Sequence, residues 1–415
     1  MKIWLIQANE PMPIVYPGAR LMRMGLLANE LRARNHDITW FATTFNHYGK
    51  NQKFDKDTIV KIDNNYRLNL IWAPSYKRNI SINRIINHKY MALRFRKIAS
   101  ALDKPDLIYV SFPTIDFAQE AIDFGEKNKI KVVVDVRDLW PDIFNFNLPK
   151  GMAFLAKPYI SLLNTKTKRI MQKAYSLTAI SPGVLEWAKN KGSRKETFND
   201  KSFYMGYNND EKGLEQVDIL NIKKDDFVII YCGAITRSLN YDYLINLAKR
   251  CMVNSHIKFL ICGDGPFLEK FKHSILKAKL NNVVMPGWVN KKQINYLMGK
   301  SKIGIIPYNN TQDFQISVSN KFIEYLCYGL PMLIGIDGYM KDIAQNNNCG
   351  YATHSIEKAY NYIEKLKTDQ IKYNDMSNRC LKLYEDKFNS DKVYKDLSNY
   401  LESIITERKL IWNMH

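Results

Sequence analysis

One lysine and one glutamate stand close together in an otherwise uncharged stretch, SNKFIEYLCYGLP at residues 319–331. If this stretch is helical, Lys321 and Glu324 are three residues apart and share a face near its N-terminus, where backbone N–H groups also point outward. The lysine and the N–H groups could receive a phosphate, and the carboxylate could accept hydrogen bonds from the hydroxyls of a ribose. The alternative is an ion pair between the two side chains, which this spacing also permits.

Three loops of the same half follow strand-like runs. Arg237 comes after FVIIYC and Gly233, in a loop that leads into a helical pattern. A guanidinium there suits a diphosphate at the positive end of the helix, and a solvated surface arginine is the alternative. Gly263 in FLICGDGPF has the same strand–turn–helix order, which by composition alone predicts only a tight turn. In VVMPGWV, Val289 stands at a strand exit whose backbone could contact a base.

A loop near the N-terminus, YPGAR, precedes a helical pattern with Leu21, Met24 and Leu27 on one face. Gly18 would let a ligand approach the backbone, and Arg20 could assist the N–H groups of the helix start in binding an anion. The loop is not GxGxxG, so dinucleotide binding gains no support. A purely structural turn glycine is the alternative.

The run VVVDVRDLWPD places three ionisable side chains at the end of a buried strand, Asp135, Arg137 and Asp138. Burial and mutual pairing there would shift their pKa values, as happens at many active sites. The alternative is an Arg–Asp pair that fixes the loop.

Short β-rich runs alternate with helical patterns along the chain, and the set of strands appears twice. This alternation predicts an α/β protein with two Rossmann-like doubly wound domains that face a central cleft. A length of 415 residues fits two domains. Ligands of such sheets bind beyond the carboxyl ends of the strands. We predict domains at residues 1–206 and 207–388, followed by a helical segment at 389–415.

The net charge of +20 lies mainly in the first half. Residues 64–102 contain eight lysines and arginines and no acid, interleaved with apolar and aromatic residues at helical spacing. Residues 143–185 have a similar character, with aromatic residues such as Phe146 and Phe154. Such segments can bind an anionic membrane surface. The alternatives are a solvated basic face and nucleic-acid binding, although no nucleic-acid module is present.

The remaining composition is that of a globular protein. No stretch approaches the roughly 20 apolar residues that cross a bilayer. The first residues predict a strand and not a signal peptide, so we expect a cytoplasmic protein. The six cysteines form no CxxC pair, which favours buried thiols over a metal site.

Taken in order, PGAR, DVRDLWPD, ISPG, the Gly233–Arg237 loop, GDGP, GWV and SNKFIEYLCYGLP resemble family-4 glycosyltransferases of the two-domain B-type fold. The likeness is to a bacterial branch that builds O-antigen, capsule and related surface polysaccharides. It implies transfer of a sugar from a nucleoside diphosphate, with retention at the anomeric carbon and without a metal or other cofactor. It also implies that the final helix crosses back to the N-terminal domain.

By this resemblance the C-terminal domain holds the donor. Glu324 would bind the ribose, Arg237 would neutralise the diphosphate and the Val289 backbone would contact the base. The donor-binding residues implied are Gly18, Arg20, Arg237, Gly263, Val289, Ser319, Asn320, Lys321 and Glu324.

The sequence departs from the family pattern at three points. Ile316 stands where the first glutamate of the E-x7-E element is usual, so the carboxylate for the donor sugar is missing. Leu239 or Asn240 replaces the lysine that usually accompanies Arg237, which leaves Lys321 as the second cation. Arg137 and Asp138 stand near the position of a frequent histidine, and we predict that they organise the acceptor hydroxyl, Asp138 foremost.

The donor expected from this resemblance is a UDP-sugar, with an N-acetylated hexosamine or deoxyhexosamine as the sugar. The expected acceptor is a polyprenyl-diphosphate-linked saccharide, reached from the anionic inner face of the cell membrane. A sugar-nucleotide 2-epimerase on the same fold is the main alternative. An Asp-x-Asp metal site at Asp55–Asp57 is a weaker one, because it lies in a polar stretch.

Overall fold

The computed structural model describes residues 1–12, 14–17, 19–79, 81–144, 150–195, 199–208, 213–217 and 222–412. The chain forms two compact units, one of Met1–Tyr204 with Val393–His415 and one of Met205–Lys392. The predicted division, at residue 206 and again at residue 389, lies close to these limits. Each unit contains a sheet of mainly parallel strands with helices between them, which confirms the α/β fold class.

The described part of the first unit contains ten strands. These are β1 (Lys2–Ile6), β2 (Asp37–Thr43), β3 (Phe45–Asn46), β4 (Asn51–Gln52), β5 (Thr58–Lys61), β6 (Tyr66–Ile71), β7 (Leu107–Phe112), β8 (Lys131–Val136), β9 (Ser176–Ala179) and β10 (Lys201–Ser202). Eight of them form one sheet in the order β10–β9–β8–β7–β1–β2–β6–β5, and β3 pairs with β4 separately. All neighbours in the large sheet are parallel except β5, which is antiparallel to β6.

Five helices connect these strands, α1 (Arg23–Ala33), α2 (Ile82–Ser100), α3 (Ile115–Asn128), α4 (Lys150–Lys173) and α5 (Pro182–Gly192). The strand order reverses beside β1, whose neighbours are β2 and β7. On one face of β1, the Trp4 ring lies 5.1 Å from Phe41 and 6.3 Å from Phe95 of α2. This aromatic cluster packs α2 onto the centre of the sheet.

A buried ion pair joins α1 to the end of β8. Arg23 donates from Nε and Nη2 to the two carboxylate oxygens of Asp135, each at 2.9 Å, and both side chains are fully buried. Its Nη1 donates to the carbonyl oxygens of Phe203 and Tyr204. Every charge and hydrogen-bonding group of this pair therefore has a partner, as a buried ion pair requires.

The second unit has six strands within the described residues, β11 (Phe227–Cys232), β12 (Ile257–Cys262), β13 (Val283–Gly287), β14 (Ile303–Ile306), β15 (Met332–Ile334) and β16 (Gly350–Ala352). They are all parallel and lie in the order β13–β12–β11–β14–β15–β16. Its helices are α6 (Tyr241–Cys251), α7 (Leu268–Lys277), α8 (Lys291–Lys300), α9 (Gln312–Ile316), α10 (Asn320–Cys327), α11 (Tyr339–Asn346), α12 (Ile356–Thr368) and α13 (Gln370–Lys387).

The last helix, α14 (Ser390–Trp412), lies within the predicted helical segment at 389–415. From Val393 onward it belongs to the first unit. Leu397 and Leu401 join the core that α1 forms with the sheet, and Lys131 donates to the Ile404 carbonyl at 2.7 Å. None of the described helices is long and apolar enough to cross a lipid bilayer.

Replacing Asp135 by Asn should cost about 3–5 kcal/mol of unfolding free energy, because it leaves the Arg23 guanidinium buried without its counter-charge. Urea unfolding of the full chain measures this. Asp103→Asn is the control, since that carboxylate is 91% exposed beside Lys2, and it should change stability by less than about 1 kcal/mol. Equal losses in both variants would contradict the role of the pair.

The same pair sets the direction of the pH dependence. Burial alone would raise the pKa of Asp135, but Arg23 and Arg137 outweigh burial and hold it well below its ordinary value of 3.8. The pKa of Asp135 is lower in the folded state than in the unfolded state. Its contribution to stability is therefore complete above pH 3.8 and is lost as the pH falls below 3.8 toward the folded-state pKa.

Candidate functional site

The second unit gathers its loops where the strand order reverses. Because all six strands are parallel, the loops after β11, β12, β13 and β14 lie at one edge of the sheet. β11 and β14 are neighbours although β12 and β13 come between them in sequence, so the reversal lies between these two strands. This is the place at which doubly wound sheets bind ligands.

Glycines bring the backbones of three of these loops into direct contact. Gly233 after β11 donates its N–H to the Cys262 carbonyl at 2.9 Å, and Gly263 after β12 donates to the Gly287 carbonyl at 2.7 Å. Gly233 and Gly263 have φ values of 152° and 140°, and a Cβ on Gly263 would overlap the carbonyl oxygen of Gly233. The loops can therefore meet only if both residues lack a side chain.

Helix α10 is fixed across the reversal by one buried tyrosine. The Tyr325 hydroxyl donates to the carbonyl oxygens of Ile230 in β11, at 3.2 Å, and Ile305 in β14, at 3.3 Å. Its ring lies against Gly304, where a Cβ would overlap it. The packing of this ring therefore sets the position of every other side chain on α10.

The N-terminal turn of α10 carries the predicted Lys321 and Glu324, and the predicted helix is confirmed. Ser319 caps it by accepting from the Phe322 N–H at 3.3 Å, and the exposed Asn320 is its first residue. The Lys321 ammonium lies 5.2 Å from the Tyr231 ring centre and 5.7 Å from that of Tyr308.

Lys321 lies directly over Gly233, since a Cβ there would overlap its Cε and Nζ. Burial lowers the pKa of this lysine, but Tyr308, Tyr231 and Glu324 outweigh burial and raise it overall. Lys321 is thus a permanent cation at the reversal. Glu324 is half-buried and attracts Lys321 electrostatically. The attraction expected from the ion-pair alternative is therefore present.

The loop with Arg237 is tied to the loop after β14. Asn240 donates its N–H to the Pro307 carbonyl at 2.7 Å, and Asn309 donates its own to the Ser238 carbonyl at 2.8 Å. The Asn309 side chain also donates to the Arg237 carbonyl. The backbone at Arg237 is held at the reversal, while its side chain is exposed.

The loop after β13 presents its side chains in two directions. Val289 is buried, whereas Trp288 is 72% exposed. Asn290 then starts α8 with a reciprocal capping box with Gln293. Contact between the Val289 backbone and a base stays a prediction. Ile316, in place of the usual acid, ends α9 and is partly buried.

The start of α1 differs from the prediction. The helix begins at Arg23, and Glu10 already accepts hydrogen bonds from the N–H groups of Met24, at 3.1 Å, and Gly25, at 2.8 Å. The helix terminus that was expected to bind a ligand anion thus holds an internal carboxylate. Gly18 lies outside the described residues, and Arg20 is exposed.

Arg137 is engaged within the first unit. Its Nε donates to Asp135 at 2.7 Å and its Nη1 to Glu10 at 3.0 Å. This is the structural Arg–Asp pair that the sequence left as an alternative for Arg137. Asp138 is half-buried and accepts from the Leu139 N–H at 2.8 Å, and its role toward an acceptor stays a prediction.

Three residues that contact the predicted site residues were not identified from the sequence. They are Glu10, Tyr231 and Tyr308. Each lies at or just after the end of a strand in the sequence, which is the available signal. Among the described residues, no group of three or more His, Cys, Asp and Glu side chains could hold a metal. Asp57 of the Asp-x-Asp match pairs with Arg94 and accepts from the Trp72 N–H, so this carboxylate is structural.

Comparison with known proteins finds a family match within the second unit. Residues 214–382 match the family model described as "Glycosyl transferases group 1". A Klebsiella pneumoniae protein described as an "Uncharacterized 41.2 kDa protein in cps region" is 23% identical over 183 residues, 43% of this chain and 48% of that protein. The chain thus spans about half the length of this curated relative. The predicted resemblance is confirmed over the matched residues.

Solved structures share the fold over almost the whole chain. Alr3699/HepE of Anabaena in complex with UDP has a TM-score of 0.68 at 13% identity, covering 97% of this chain and 100% of that one. WaaG, a glycosyltransferase involved in lipopolysaccharide biosynthesis, has a TM-score of 0.60 at 12% identity, covering 96% and 99%. These likenesses confirm the predicted B-type fold.

Replacing Gly263 by Ala should lower stability by about 1–3 kcal/mol, because the new Cβ meets the Gly233 carbonyl and the backbone conformation is unfavourable for alanine. The midpoint of urea unfolding measures this. Gly299→Ala is the control, since that glycine lies in α8 with open space around it, and helix propensity should make this change neutral or stabilising. Equal destabilisation by the two changes would contradict the proposed backbone contact.

Proposed function

We propose that the group 1 glycosyltransferase domain at residues 214–382 binds a UDP-sugar and that the protein transfers its sugar, with retention, to a lipid-linked saccharide. The observation that carries this proposal is the position of Lys321 and Glu324 together near the N-terminus of α10. They lie together at the strand reversal of a doubly wound sheet, where nucleotides bind in such folds.

The cations suit the leaving group. Departure of UDP develops negative charge on the diphosphate, which fixed cations and backbone N–H groups stabilise better than mobile water does. Lys321 is held by packing and stays charged, so it needs little reorganisation during the reaction. Arg237 has a fixed backbone and an exposed side chain that can reach over a bound diphosphate.

Glu324 suits the nucleoside. An ionised carboxylate has about four lone-pair sites on its two oxygens, enough to accept hydrogen bonds from two ribose hydroxyls. The Gly233 and Gly263 loops would let the backbone approach the diphosphate. Ser319 and Asn320 complete the N-terminal turn at which its oxygens would lie.

The expected chemistry uses the donor itself. Ile316 supplies no carboxylate for the donor sugar, so we propose front-face attack in which the departing phosphate oxygen takes the proton of the acceptor hydroxyl. The bond from the anomeric carbon to the phosphate oxygen breaks as the bond to the acceptor oxygen forms, on the same face. Binding without a metal is part of this proposal.

The comparisons support a role in the synthesis of a surface polysaccharide. The Klebsiella relative is described by its place in a cps region, and WaaG is described as acting in lipopolysaccharide biosynthesis. HepE supports UDP as the carrier, because it was solved with UDP. We therefore propose a polyprenyl-diphosphate-linked saccharide as the acceptor, in synthesis of a bacterial surface polysaccharide, and an N-acetylated hexosamine or deoxyhexosamine as the sugar.

One face of α2 supports peripheral binding to the inner face of the cell membrane. Ile82, Ile86, Tyr90 and Leu93 recur at helical spacing and are exposed, and the helix and the loop before it carry exposed cations. Met91 and Phe95 of the same helix are buried in the core. An exposed apolar stripe flanked by cations is typical of a helix that lies on anionic headgroups.

The ribose assignment predicts an interaction between one residue and two hydroxyls. Wild-type protein should bind UDP roughly 10- to 100-fold more tightly than 2′,3′-dideoxy-UDP, because two hydrogen bonds to a carboxylate are lost. Glu324→Ala should bind both nucleotides with the same reduced affinity. Isothermal titration calorimetry measures this.

Glu269→Ala is the matched control, since Glu269 is an exposed carboxylate of α7, and it should discriminate as the wild type does. Undiminished discrimination in Glu324→Ala would remove the ribose role. Conversion of a UDP-N-acetylhexosamine to its 2-epimer, without transfer of the sugar to any acceptor, would replace the transferase proposal by the epimerase.

The membrane proposal predicts charge-dependent sedimentation with vesicles. The full chain should bind phosphatidylglycerol vesicles at least tenfold more tightly than phosphatidylcholine vesicles, and less tightly as salt increases. Leu93→Glu should weaken binding to phosphatidylglycerol about tenfold, because Leu93 is 58% exposed on the stripe. Ile371→Glu, at an exposed apolar position of α13, is the control and should have little effect. Equal binding to both lipids would contradict the proposal.

A further inference from the structure

A cavity of about 290 Å³ lies in the first unit between the N-terminal part of α2 and the helix α4. Its walls are mostly apolar, with Ile82, Ile85, Trp140, Phe144, Ala156 and Ile160. Ile82 is 74% exposed, so it marks the mouth of the cavity. The same residue begins the exposed stripe of α2 that ends at Leu93.

The polar end of this cavity lies among loops that follow strands of the first sheet. Arg84 and His88 line the cavity, and Tyr76, which follows β6, lies against Arg84. Trp140 follows β8, and His47 follows β3, close behind β2. The carboxyl edge of a doubly wound sheet is the usual place for a ligand. The ion pairs of Arg23 and Arg137 already occupy the part of this edge near β8, whereas the cavity is open.

The groups that accept hydrogen bonds from Arg84 are uncharged. Its Nη1 donates to the Asn79 carbonyl at 2.8 Å and its Nε to His88 Nε2 at 3.4 Å. Its guanidinium lies 5.0 Å from the Trp140 ring centre and 5.8 Å from that of Tyr76. Asp138 attracts this guanidinium, but burial outweighs the attraction and lowers the pKa of Arg84 overall.

Further basic groups crowd this guanidinium. Lys50 lies 4.9 Å from the Tyr76 ring centre and donates to the Asn79 side chain at 2.5 Å. Burial and then the charges of Lys50 and Arg84 lower the pKa of His47 to about 4. Burial, Arg84 and His47 lower the pKa of His88 to about 3. Burial followed by Arg84 also lowers the pKa of Lys50.

Like charges crowd one another in this cluster. Arg84 and Lys50 repel each other there, and burial together with nearby cations keeps His47 and His88 neutral. An anion placed between Arg84 and Lys50 would relieve this repulsion. The apolar walls above it exclude a ligand that is polar throughout, such as a free sugar phosphate, because the walls offer few hydrogen-bond partners.

We infer that this cavity binds the phosphate end and the adjoining hydrocarbon of a long-chain lipid phosphate, with the phosphate on Arg84 and the chain leaving past Ile82. This rests on the proposed function in one respect, since the lipid-linked acceptor would be the natural ligand. A chain that leaves at Ile82 continues along the exposed stripe of α2, which we propose lies on the membrane. The site thus selects an acceptor by both its charge and its chain.

The test uses the full chain with three soluble probes, farnesyl diphosphate, farnesol and inorganic diphosphate, in calorimetric titrations below the micelle concentration. Wild-type protein should bind farnesyl diphosphate at least tenfold more tightly than either of the others, because only this probe has both parts. Arg84→Gln should weaken the binding of farnesyl diphosphate at least tenfold and leave the binding of farnesol unchanged. Lys89→Gln, which removes an exposed cation from the same helix, should bind as the wild type does.

A second variant guards against an Arg84 variant that folds poorly. Ala156→Trp fills the cavity without altering Arg84, so it should lose farnesyl diphosphate while its melting temperature and UDP binding are retained. Unchanged binding in both variants would overturn the inference, as would displacement of farnesyl diphosphate by UDP, which would place the probe in the donor site. Binding of anionic vesicles through Arg84 without binding of the soluble probe would assign this face to a membrane surface and also overturn it.

The two proposals fail separately. A protein that binds UDP-sugars but not farnesyl diphosphate would overturn this inference and leave the donor site standing. A protein that binds farnesyl diphosphate through Arg84 but no nucleotide sugar would support the cavity and overturn the proposed transferase.

Discussion

The common direction of the six strands in the second unit decides where its chemistry can occur. Parallel strands place the loops after β11, β12, β13 and β14 at one edge, and the reversal of strand order opens a position between β11 and β14. The Tyr325 hydroxyl hydrogen-bonds to a backbone carbonyl of each of these two strands. The packing of the Tyr325 ring against Gly304 fixes the helix α10 at this edge of the sheet. Lys321 and Glu324 are carried by that helix.

The first unit uses charge in two contrasting ways. Around Asp135 two arginines are neutralised by buried carboxylates, and every strong interaction there is internal. Around Arg84 the positive groups face one another and a cavity. The net charge of +20 does not distinguish these arrangements, because it counts both alike. What distinguishes them is that the fold pairs Arg23 and Arg137 directly with buried carboxylates.

The outcome for individual residues shows what sequence can and cannot predict. The helix with Lys321 and Glu324 was predictable because helical spacing is local and the sequence has its own start and end signals. The strands were predictable where the apolar run was long, but β9, with four residues, was not singled out. The partner of Arg137 was not predictable, because Glu10 is 127 residues away and is brought to it by β1. The start of α1 was misplaced for the same reason, since that carboxylate caps Met24 and Gly25 from another segment.

The contact between Gly304 and Tyr325 links the hydrophobic core to the proposed donor site. A larger residue at position 304 would displace the Tyr325 ring and, with it, Lys321 on the same helix. Under the proposed function, selection on core packing and selection on sugar transfer would act on the same atoms. Few mutational routes would be open at this strand, and adaptation to a new donor sugar would have to proceed through the surrounding loops.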